Sequence, residues 1–207
     1  TGPVFQRMFY ANNIENQFTL QNLYMVYGGT SWGWQADPNV VYTSYDYGAA
    51  FDEQRELTEK VPVLKQHAYL VASVRDLAGT DDLGLQPGAS AALRVWVKEN
   101  PRTRARFYFV RHSDSTSTSN DVTPLAIDVT DGSYATHVRV NGRDFKILAA
   151  GYDLLRQRLV YSTSEILTHV EVGDRDVAVL HGRAAEAGET LLRYAAEPAV
   201  RVLAGDV

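Results

Sequence analysis

From Leu93 onward the apolar residues of this chain recur at every second position: Leu93, Val95 and Val97, then Phe107 and Phe109, then Val138 and Val140, then Val177 and Val179. Successive side chains of an extended chain point to opposite faces, so this period marks strands with one buried face. Asp131-Gly132 and Asn141-Gly142 supply the positive-φ residues that two-residue hairpin turns need, and Gly173-Asp174 separates two further apolar runs. Short strands spaced this closely build an antiparallel sandwich or a related β domain, which is expected over residues 91–207.

The first 74 residues follow other rules. Phe5, Met8 and Phe9 stand three and four apart behind Pro3, a spacing that predicts a short amphipathic helix over Pro3–Asn16. Leu20 to Tyr27 is rich in aromatic and apolar residues and is stopped by Gly28-Gly29, the pattern of a buried strand in a parallel sheet. Thr30 to Ala50 reads as a long loop with an unusual aromatic density: Trp32, Trp34, Tyr42, Tyr45 and Tyr47. A second helical period, through Val61, Leu64, Ala68 and Ala72, predicts a helix over Thr58–Val74, with Glu59 and Pro62 suited to its first turns. Between Arg75 and Ser90 periodicity ends and Gly79, Gly84, Pro87 and Gly88 cluster, so residues 75–90 read as a linker between two domains. The fold class expected is α+β.

Composition narrows the partners. Hydrophobic residues at 45% and charged residues at 22% are ordinary globular values. The formal charge of −5, with no basic block to neutralise phosphates, argues against nucleic acid. There is no cysteine, which removes disulfides and thiolate chemistry. The longest apolar stretches, such as Ala68 to Val74, fall far short of the roughly 20 residues a membrane helix requires, so no membrane partner is expected. The chain begins at Thr1 without a visible signal peptide and reads as a fragment.

Chemical motifs are few. Gly29-Thr30-Ser31-Trp32-Gly33 fits the G-x-S-x-G pattern of a nucleophile elbow after a strand, but Trp34 to Pro38 does not start the helix that such an elbow must enter. His67, His112, His137, His169 and His181 are never three or four positions apart, so a metal site would need tertiary assembly. Gly28-Gly29 lacks the lysine of a phosphate-binding loop, and no cofactor is indicated. Glu15, Glu53, Glu56 and Glu59 read as solvated helix-face charges, and no acid/base pair emerges. Asp46, inside the aromatic loop, either fixes loop N–H groups or takes part in catalysis directly. The aromatic loop itself has the chemistry to stack on a sugar ring and to bond its hydroxyls.

Two loop motifs and three later ones carry a resemblance. Asn22-Leu23-Tyr24-Met25-Val26-Tyr27-Gly28-Gly29-Thr30-Ser31-Trp32-Gly33 and Tyr42-Thr43-Ser44-Tyr45-Asp46-Tyr47-Gly48-Ala49 closely resemble the β-galactosidases of glycoside hydrolase family 35. Phe109 to Asp114, Val140 to Asp144 and Val160 to Glu165 are similar to the second domain of the large fungal and bacterial members. The resemblance implies a retaining hydrolase of terminal β-D-galactose, built from a (β/α)8 catalytic barrel and β-rich domains. Residues 1–74 would then be the last barrel strand and helices. Sites in such barrels lie at the carboxyl ends of the strands, where the aromatic loop emerges.

By the same resemblance Tyr24 and Tyr47 contact galactose, and both catalytic glutamates lie on earlier barrel strands, so this piece alone would be inactive. It also implies a galactoside substrate, the remainder of the barrel as partner, and secretion. Ser31 stands where the family usually has Asn, and Trp34 to Val41 replaces a glycine-rich stretch. A non-catalytic galactose-binding or structural β module is the alternative reading.

Overall fold

Alternating burial turns the second half of the chain into a central sheet with two covered faces. The structure, a computed structural model, describes residues 2–31 and 44–204. Its elements among those residues are α1 (Pro3–Glu15), β1 (Gly29–Thr30), β2 (Ser44–Tyr45), α2 (Lys60–Ser73), a 3-10 turn (Arg75–Gly79), β3 (Asp81–Leu85), β4 (Leu93–Glu99), β5 (Arg106–His112), β6 (Asn120–Val129), β7 (Gly132–Asn141), β8 (Phe145–Leu154), β9 (Gln157–Ser162), β10 (Glu165–Val172), β11 (Arg175–His181) and β12 (Thr190–Arg193).

An antiparallel six-stranded sheet runs in the order β12-β9-β8-β5-β4-β3. Tyr108, Val110, Val95 and Leu148 point from one face onto Leu125, Ile127, Val138 and Val140 of the β6–β7 hairpin. Phe107, Phe109, Phe145 and Ile147 point from the other onto Met8 and Ala11 of α1, Leu70 and Val74 at α2, and Ile166 of β10. Burying each of these large side chains contributes about 1.5–3 kcal/mol. The two helices thus share one apolar core with the sheet.

Several expectations need correction. Leu20–Tyr27 forms no strand: Val26 accepts one hydrogen bond from the Phe51 N–H at 2.8 Å, Tyr27 makes an isolated parallel bridge to Phe51, and Leu20 stays 85% exposed. A parallel strand exists only where neighbours satisfy its backbone groups on both sides, and the described residues offer this segment one short contact. Asn141-Gly142 is no hairpin turn either. Gly142 has φ 73°, but β7 pairs with β6 while the following β8 pairs with β5 and β9, so the chain crosses between sheets here. The first hairpin turns on Thr130-Asp131, one position before the expected pair, with Val129 opposite Gly132. Gly173-Asp174 does connect β10 to β11, with Val172 opposite Arg175. Within residues 75–90 the chain forms the 3-10 turn and then β3, an edge strand paired with β4.

Glu15 is buried, not solvated: its carboxylate takes a hydrogen bond from Arg94 of β4 and lies 3.7 Å from the Arg111 guanidinium of β5. At the other end of α1, Arg7 reaches Asp144 at 2.5 Å and also Glu165, while Arg183 holds the second Asp144 oxygen at 3.1 Å. Two ionic ties therefore fasten α1 to the β domain.

His67 of α2 packs beside Tyr10, with ring centroids 5.2 Å apart, and its Nε2 lies 2.8 Å from the Gln21 amide oxygen. Burial, and then the nearby Arg7 charge, push its pKa down to about 4. The unfolded imidazole takes its proton near pH 6.5, so between about 6.5 and 4 the unfolded state binds more protons and stability falls as pH falls. Burial lowers His169 and His181 in the same direction. In thermal unfolding scans from pH 7 to pH 4, His67→Gln is expected to make the acid-side decline shallower. A profile parallel to the unmodified chain would refute this.

Candidate functional site

The segments that carry Tyr24 and Tyr47 meet because one glycine, Gly28, lets two backbones touch. β1 pairs with β2, placing Gly29 opposite Tyr45 and Thr30 opposite Ser44. A β carbon built on Gly28 would fall on Asp46 Cα and 2.8 Å from the Tyr45 carbonyl oxygen, so no side chain fits between these strands. Glu53 clasps the pair from the outside, accepting hydrogen bonds from the Thr30 and Ser44 hydroxyls. Beside it the Arg55 guanidinium lies 3.7 Å over the Tyr27 ring. Downstream, Thr58 ties the segment to the start of α2, donating through Oγ1 to the Ala49 and Ala50 carbonyls at 3.2 and 3.0 Å.

This apposition sets the Tyr24 and Tyr47 rings 6.4 Å apart at 40°, a tilted aromatic pair. Their exposures, 80% and 59%, leave both phenols open to a ligand. They line a cleft of about 240 Å³ with Phe9 and Tyr10 of α1, Leu23 and Lys60. Phe5 and Phe9 stack at 5.9 Å along its helical side. Aromatic faces, phenol hydroxyls and one ammonium are groups suited to a polyhydroxylated ring with apolar faces.

Asp46 takes the first of the two roles open to it in the sequence: its carboxylate accepts the Gly48 N–H at 3.0 Å. Lys60 donates to the Gly48 carbonyl. Lys60 did not stand out in the sequence, and Glu53, read there as a solvated helix-face charge, lies before α2 and accepts from the Thr30 and Ser44 hydroxyls. Of the G-x-S-x-G match, Gly29 and Thr30 form β1, whereas Trp32 and Gly33, like Trp34 and Tyr42, lie outside the described residues. Among the described residues no cluster of three His, Asp or Glu side chains could hold a metal ion, and no helix is long and apolar enough to cross a membrane.

A family model for β-galactosidase domain 2 matches residues 79–206, and one for glycosyl hydrolases of family 35 matches residues 3–70. The chain belongs to glycosyl hydrolase family 35, its larger part to β-galactosidase domain 2. Among its relatives, a probable β-galactosidase C of Aspergillus niger is 37% identical over 188 residues, covering 89% of this chain and 19% of the relative. One of Talaromyces marneffei is 38% identical over 197 residues, 94% of the chain and 20% of the relative. A probable β-galactosidase B of Sclerotinia sclerotiorum is 34% identical over 208 residues, 97% and 20%. The family 35 chain thus spans about one fifth of the length of these relatives. In it, α1, most of α2 and the tyrosine cleft fall within the match to the hydrolase family, and the six-stranded sheet within the match to domain 2.

Proposed function

We propose that this chain is part of a retaining β-galactosidase that hydrolyses terminal non-reducing β-D-galactose residues, and that Tyr24 and Tyr47 form one wall of its galactose pocket. The observation that carries this reading is the meeting of the two tyrosines, open to solvent over one cleft, in a chain of this family. On this reading the two carboxylates of the retaining mechanism, about 5 Å apart across the sugar, belong to preceding barrel strands. The exposed Phe18, Leu20 and Leu57 support it, because a barrel's neighbouring elements would cover such apolar surface. A second apolar cleft of about 640 Å³, between the end of α1, Leu23, Val71 and Leu77, offers further surface for those elements. Secretion is proposed on the family resemblance alone.

In the full-length protein, Tyr47→Phe keeps the ring and removes the hydroxyl. The lost hydrogen bond to the sugar is expected to lower kcat/KM for a nitrophenyl β-galactoside by about tenfold. An unchanged specificity constant would remove Tyr47 from the pocket.

A further inference from the structure

Tyr47 has a backbone φ of 48° and Gly48 one of 67°. For glycine that conformation costs nothing special, but a tyrosine enters the left-handed region only when its surroundings hold it there. Asp46 supplies the hold from both its backbone and its side chain. Its carbonyl accepts the Ala49 N–H at 2.7 Å and its carboxylate accepts the Gly48 N–H at 3.0 Å, closing a turn about Tyr47. From α2, Lys60 fixes the opposite side of the same peptide through the Gly48 carbonyl. The Asp46 backbone cannot drift, because it lies against Gly28 of the segment that carries Tyr24. The tyrosine pair is thus set by a short chain of contacts: Gly28 to Asp46, Asp46 to Gly48, and the turn to the Tyr47 ring.

We propose that Asp46 is a positioning residue for galactoside turnover, holding Tyr47 in the left-handed turn that aims its phenol at the cleft shared with Tyr24. The proposal rests on the assignment of Tyr47 to the galactose pocket. It gives the carboxylate no contact with the sugar, since the oxygen that matters is engaged by the Gly48 N–H. The requirement on residue 46 is then an acceptor oxygen at the right reach, not a negative charge. Asparagine meets that requirement and alanine does not.

The test uses Asp46→Ala, Asp46→Asn, Tyr47→Phe and the double variant Asp46→Ala/Tyr47→Phe in the full-length protein, with kcat and KM for a nitrophenyl β-galactoside. Asp46→Ala is expected to lower kcat/KM by about tenfold or more, and Asp46→Asn to recover most of that loss. In the Asp46→Ala background the further change Tyr47→Phe is expected to cost less than about twofold, because two residues acting through one contact are not additive. Asp46 lies outside both apolar cores, so the thermal midpoint should stay near that of the unmodified protein. Full activity in Asp46→Ala, or losses that multiply in the double variant, would overturn the proposal. So would an Asp46→Asn variant as poor as Asp46→Ala, which would make the charge itself the working group. If Tyr47→Phe alone is without effect, the pocket assignment fails; if it is impaired while Asp46→Ala is normal, only the positioning role fails.

Discussion

Replacing Arg7 by methionine is expected to destabilise the folded chain by about 3–5 kcal/mol, since removing one member of a buried ion-pair network strands the others. Methionine retains most of the apolar stem, so the loss reports on charge and hydrogen bonding more than on packing. The partners are deeply placed, with Asp144 and Glu165 side chains 1% and 6% exposed. Without Arg7, Asp144 would keep Arg183 at 3.1 Å and the Phe145 N–H at 2.8 Å, and Glu165 would keep the Ile147 N–H at 3.0 Å. Burial alone would push the Asp144 carboxyl up, but the Arg7 charge and hydrogen bond, together with the Arg183 charge and the Phe145 N–H, outweigh it and hold the group below the usual carboxylate range. A depressed carboxylate pKa stabilises the fold above the unfolded value, near 3.9, and that contribution is lost as pH falls through the folded value. Methionine at position 7 should therefore shift the urea midpoint strongly at pH 7 and progressively less as pH falls below about 3.9. A shift below about 1 kcal/mol at pH 7, within the range of an exposed pair, would mean that this network does not fasten α1 to the sheet.

That tie was invisible in the sequence, and the reason is general to this chain. Glu15 meets Arg94 across 79 positions and Arg7 meets Asp144 across 137, and no local pattern distinguishes such charges from those of a solvated helix face. Alternation made β4 and β7 legible because it survives when one face of a strand is more buried than the other. β8, Phe145 to Leu154, is buried on both faces almost throughout and shows no period at all. Asn141-Gly142 has the local chemistry of a hairpin, yet the strand that follows finds its partners in the other sheet, a choice made by the core. The run Leu20–Tyr27 has a strand's composition, but pairing belongs to neighbours and not to composition. The site divides in the same way. Tyr24 and Tyr47 stand in motifs that carry the family resemblance, whereas the contacts of Glu53 and Lys60 depend on a backbone path that the residues only permit.

The glycine that lets that path close gives the sharpest test of the site's geometry. Gly28→Ala is expected to lower kcat/KM of the full-length protein for a nitrophenyl β-galactoside by about a hundredfold or more, the scale of loss when reacting groups move by about 1 Å. The added methyl group meets backbone, Asp46 Cα and the Tyr45 carbonyl oxygen, which cannot rotate aside, so β1 and β2 must separate and carry Tyr24 away from Tyr47. Gly29→Ala is the matched control. There the new methyl group would meet the ring end of Tyr45, its hydroxyl at 2.7 Å, and a ring can swing where a backbone cannot. The control is expected to retain most of the activity, and neither change should move the thermal midpoint far, because Gly28 and Gly29 contribute to neither apolar core. Equal losses in the two variants would show that turnover responds to any added bulk near β1, and the separation of the tyrosines would no longer explain it. A severe loss confined to Gly28→Ala ties the rate to the one contact that brings the two phenols over a common cleft.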